Sequence, residues 1–132
     1  MGARARMRLL LAAAALAVVK GQSAAEEECR REITSPVFTN ATLRDAVARF
    51  FQDKATAEST YGPMKCWDVS EVTDMEGLFN ERVDMSVTER TAQQAFNEPI
   101  EFWEVSKVTN MKDMFRFCTK FRQRLQAWDP RR

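Results

Sequence analysis

The chain has 132 residues, 45% of them hydrophobic and 30% charged, the length and composition of one globular domain and not of a disordered chain. Its 20 Lys and Arg against 19 Asp and Glu leave a net charge of +1, which points to neither a nucleic-acid binder nor a polyacidic tail. It has no histidine, and this excludes Ser-His and Cys-His nucleophile pairs, the usual zinc-hydrolase sites and the commonest general base.

Arg4, Arg6 and Arg8 precede an unbroken apolar run over residues 9–19, and Gly21, Ser23, Ala24 and Ala25 follow it. A basic start, an apolar stretch and small residues are the pattern of a cleaved export signal, here residues 1–23 with the cut between 21 and 25. The run is too short to span a bilayer, which takes about 20 residues, and no cysteine directly follows it to carry a lipid. Cleavage removes Arg4, Arg6, Arg8 and Lys20, so the exported chain becomes mildly acidic. The expected location is extracellular or on the cell surface, with no membrane span in the mature chain.

Cys29, Cys66 and Cys118 match no zinc spacing. In an oxidising compartment one disulfide and one leftover thiol are expected. Cys118 falls on an apolar stripe, so Cys29 with Cys66 is the preferred pair; the alternative is three free thiols. Asn40-Ala41-Thr42 is an N-glycosylation sequon, which makes Asn40 a candidate carbohydrate site in a eukaryotic host.

Residues 24–66 form a capping segment. Thr42 with Asp45 is a capping-box-like start for a helix over about residues 42–53, and Leu43, Ala46, Val47, Phe50 and Phe51 form its apolar stripe. Tyr61-Gly62-Pro63 is a turn that stops the chain before the next segment.

Residues 67–132 are organised by a repeat. WDVSEVTDMEGLF over residues 67–79 returns as WEVSKVTNMKDMF over residues 103–115, with Trp, Val, Ser, Val, Thr, Met and Phe in register. Phe96, Ile100 and Trp103 have the spacing of Phe121, Leu125 and Trp128. The repeats are residues 67–102, which hold an insertion over 80–95, and residues 103–127, with a third starting at Trp128 and interrupted by Pro130. Met111, Met114, Phe115 and Cys118 fall at helical spacing after Asn110 as a cap, with Asp113 as its partner; Met75, Leu78 and Phe79 follow Asp74 in the same way. Ser86 with Glu89 starts a weak helix in an insertion read mainly as a tolerated polar loop. Such a repeat holds its shape by stacking on a neighbour, and the tryptophans at one fixed position are expected to form a buried ladder.

W-D-V-S-x-V-T-D-M-x-x-L-F followed by F-x-x-x-I/L-x-x-W at a 25-residue period resembles the repeat of the mycoplasma-type lipoprotein and BspA-like surface-protein family. The helix at residues 42–52 and the YGPMKCW lead-in at residues 61–67 resemble the region that precedes such repeats. The resemblance implies an α/β repeat fold, a short leucine-rich-repeat-like solenoid with an N-terminal capping helix. It also implies a secreted or surface protein used in adhesion or recognition, and it transfers no catalytic, cofactor or metal residue.

Three functions follow. The first is a non-catalytic interaction module for an extracellular protein or glycan. The second is a structural envelope component that self-associates through its open repeat end, where Phe115, Phe117, Phe121 and Leu125 lie. The third and weakest is an extracellular enzyme, because Asp68, Asp74, Glu104 and Asp113 read as turn and cap residues and not as a carboxylate pair. No cofactor or nucleic-acid partner is expected.

Overall fold

The computed structural model describes residues 28–29, 35–80 and 82–128. The chain divides into two units, residues 1–33 and residues 34–132. The segment read as an export signal, and Asp129 and Pro130 of the third repeat, lie outside the described residues.

Regular secondary structure in the second unit is helical: α1 (Asn40–Gln52), α2 (Lys54–Tyr61), a short 3-10 turn (Met64–Cys66) and α3 (Val87–Gln94). α1 begins two residues earlier than the sequence suggests. Thr39 is its N-cap, and Thr42 is the reciprocal partner at the third helical position. The expected stripe of Leu43, Ala46, Val47, Phe50 and Phe51 is the buried face. Asp53, in extended conformation, ends α1 and caps α2, its carboxylate accepting from the Thr56 amide and hydroxyl. One acidic residue thus makes two helices where the sequence suggested one. Gly62, at φ 80°, stops α2 in the conformation glycine adopts without strain.

The leucine-rich-repeat-like α/β solenoid expected from the sequence is not what forms. Among the described residues there is no strand and no sheet; the repeats are chains of tight turns that meet at one isolated bridge, Asp74 with Asn110. The reason lies in the side chains flanking each Val-Ser-Val-Thr stretch. Asp68 accepts from the amide of Ser70, Asp74 from Glu76, Glu104 from Ser106 and Asn110 from Lys112. These side-chain bonds two residues on fold the backbone back at both ends of the stretch. Too few successive residues stay extended for a ladder. The helical stripes expected after Asp74 and Asn110 also fail to form helices. Gly77 and Asp113 hold matching positions in the two repeats, at φ 59° and 55°, and Phe117 follows at 66°. A left-handed residue ends each helical turn soon after it starts.

The repeats nevertheless stack in parallel. Met75, Gly77 and Phe79 amides donate to the Asn110, Lys112 and Met114 carbonyls, and Thr109 donates to Thr73, all at 2.7–3.0 Å. Segment 35–40 covers the other side of the first repeat: Phe38 donates to the Asp68 carbonyl at 2.9 Å. The core runs without a break from α1 through both repeats.

Candidate interaction surface

Aromatic rings set the geometry of the stack. Trp67, Trp103 and Trp128 form one column, with neighbouring rings 6.4 Å apart and tilted by only 14° and 9°. Phe79 over Phe115 and Phe96 over Phe121 form two more, at 5.6 and 5.7 Å. Every indole N–H finds a backbone carbonyl. Trp103 donates to Met64 at 2.8 Å and Trp128 to Ile100 at 3.1 Å, and these acceptors are equivalent, each three residues before the preceding tryptophan. Trp67, with no earlier repeat, donates to Gly62. A buried indole must place its polar edge, and this repeated bond fixes the register that ring stacking alone would leave free to slide.

The insertion is structural. α3 carries a full capping box between Ser86 and Glu89 and packs on α1. The Ser86 amide holds the Glu89 carboxyl below its ordinary range. Gln93 is fully buried. Its amide nitrogen donates to the Phe79 carbonyl at 2.9 Å and the Arg116 carbonyl at 3.1 Å, and lies 3.3 Å from Cys118 Sγ. It thereby joins the two repeats at the level where the insertion leaves the stack. Sequence reasoning missed it, because a glutamine in a polar stretch carries no periodic signal; only its one-turn spacing from the Ser86–Glu89 start marks it as facing inward.

Cys118 is a free, buried thiol, pushed up to about 11 by loss of solvent. Cys66 closes the 3-10 turn and Cys29 lies in the first unit; neither is among the free thiols. Asn40 opens α1, and its amide is in use. Oδ1 accepts from the Thr73 and Asp74 amides and Nδ2 donates to the Thr73 hydroxyl. A carbohydrate on Nδ2 would compete with that last bond.

The exposed edge of the stack is polar and paired across repeats. Lys107 meets Glu71 at 2.8 Å, and Asn110 donates to Glu76 at 2.8 Å. Asp68, Asp74 and Glu104 each accept from the amide two residues on and Asp113 lies in a turn, and no three of the Cys, Asp and Glu side chains among the described residues converge as a metal would require. A cavity of about 110 Å³ lies between α1 and the first repeat, bordered by Arg44, Phe51, Leu78, Asn80 and Met85. Arg44 in its wall donates to the Glu76 carbonyl and lies 3.7 Å from Asp74, so its charge is already engaged. No described helix is long and apolar enough to cross a membrane.

The model of a Mycoplasma protein family of unknown function, DUF285, matches residues 45–132, which hold the greater part of α1, the insertion and both repeats. The chain belongs to the DUF285 family. No curated protein and no solved structure matches it. The matched region starts within α1, so the entry helix belongs with the repeats as one unit of the family.

Proposed function

We propose that this protein is a secreted or cell-surface, BspA-like interaction module, without catalytic activity, that binds an extracellular protein or glycan through the stacked repeats. The carrying observation is the edge on which exposed polar side chains recur in register from one repeat to the next, as Glu71 with Lys107 and Thr73 with Thr109 do. A rigid array of this kind holds contact groups in place before a partner arrives, which lowers the cost of ordering them on binding. The export-type leader supports the location.

The test is binding of the exported chain to immobilised extracellular proteins and glycans. Saturable binding that weakens when Glu71 and Lys107 are both changed to Ala, with the melting midpoint retained, is the expected result. No binding across a broad panel overturns the proposal. Deleting residues 80–95 is not a clean test, because it removes Gln93 from the core. The export reading carries the Cys29–Cys66 pairing with it: peptide mapping without reductant should recover that pair and leave Cys118 as the thiol.

A second reading, self-association through the last repeat, is favoured by one observation. The Leu125 carbonyl stands where Met64 and Ile100 each accept an indole, and among the described residues no indole reaches it. Sedimentation velocity across a concentration series separates the readings, since only this one requires dimers without ligand.

A further inference from the structure

The net charge of +1 hides an uneven distribution. Residues 35–113 carry eight Lys and Arg against fourteen Asp and Glu, whereas residues 114–128 carry Arg116, Lys120, Arg122 and Arg124 and no acid. All four cations are exposed, and none has an ion-pair partner among the described residues. Residues 121–125 alternate in exposure, with Phe121, Gln123 and Leu125 half-buried and Arg122 and Arg124 out in solvent. Gln123 is anchored to Asn97 and the Arg122 amide donates to the Asn97 side chain. Arg122 and Arg124 are thus the exposed positions of a segment that the Asn97 hydrogen bonds hold against the body of the protein. In the same stretch of chain Phe117 is 50% exposed at φ 66°, a conformation that a bulky residue holds only at a cost in strain. Arg116 lies over its ring at 5.0 Å, a cation–π distance.

We infer that this basic, aromatic end binds an anionic polysaccharide, a sulfated or carboxylated glycan chain. The inference rests on the interaction-module reading above and adds to it a second contact surface with its own ligand class. Charge complementarity carries it: guanidiniums pair with sulfate and carboxylate, and an exposed ring packs against the apolar face of a sugar. A second copy that presents the same end sets four cations against four. A membrane surface calls for several protruding apolar side chains, and of the large apolar residues in 114–128 only Phe117 is exposed.

The experiment measures binding of the exported chain to heparin and to neutral dextran, with anionic phospholipid vesicles and poly-glutamate as competitors. Expected are heparin binding that weakens as salt rises, no dextran binding, and a loss on the order of tenfold for R122Q/R124Q. Phe117→Asn, which keeps a residue tolerant of positive φ, should also weaken binding with an unchanged melting midpoint. Heparin binding that is absent at low salt, or indifferent to both variants, overturns the inference. So does stronger binding to vesicles or poly-glutamate, or self-association that low salt strengthens. Failure here together with retained binding of other ligands through the Glu71–Lys107 edge leaves the module reading standing. Heparin binding by a chain that is not exported separates the two in the opposite direction.

Discussion

Two side chains meet where the insertion joins the stack, and each has one role. Gln93 supplies the donor that the Phe79 and Arg116 carbonyls need, and Cys118 fills the remaining space and points its own S–H at the Phe79 carbonyl, 3.3 Å away. Gln93→Glu replaces that donor with an acceptor among acceptors. It should lower stability by about 1–3 kcal/mol or more, read by urea denaturation, whereas Gln93→Met should lose less because it buries no charge. Burial keeps the Cys118 thiol protonated, at about 11, well above neutral pH. Maleimide should therefore label Cys118 slowly in the native chain and fast in urea; equal rates would show the site to be open. Neither effect is legible in the sequence, where Gln93 is one polar residue among several and the partners lie 14 to 25 positions away.

The helices owe their ends to capping more than to composition. Thr39 with Thr42, Asp53 with Thr56 and Ser86 with Glu89 satisfy first-turn amides by side-chain oxygens. The Ser86–Glu89 box was readable by its spacing, and α1 by its apolar stripe. α2 was not, because its cap also terminates the helix before it. Glu89 is held below its ordinary value of 4.5, and Asp53, through the Thr56 hydroxyl, below 3.8. A depressed folded value means stability that is complete above the ordinary value and is lost as pH falls through the lower one. The denaturation midpoint of the native chain should thus drop as pH falls below about 5, and the drop should be smaller in Glu89→Gln. An identical acid profile in the variant would remove Glu89 from the account.

For the whole molecule, stability resides in the stack. Trp103 is the middle ring of its column, is 3% exposed, and carries the hydrogen bond to Met64. Trp103→Ala should cost about 3–5 kcal/mol. Trp103→Phe, which keeps a ring but loses the donor, should cost less. Both are measured by equilibrium unfolding, and an unchanged midpoint in the alanine variant would contradict a shared core. The residue pattern alone places two like segments in register with their tryptophans inside, because identical side chains at identical spacing can satisfy one another only by translation along a common axis. It also sets the entry helix and the turn at Gly62. That the repeats run as turns and not as strands emerges with the packed fold. Asp68, Asp74, Glu104 and Asn110 can cap helices, border strands or close turns, and the neighbouring repeat selects among these by offering carbonyls at isolated points. The place of the insertion emerges in the same way, since a buried glutamine is acceptable only where distant backbone groups converge to need it, and that convergence does not exist until the chain has folded.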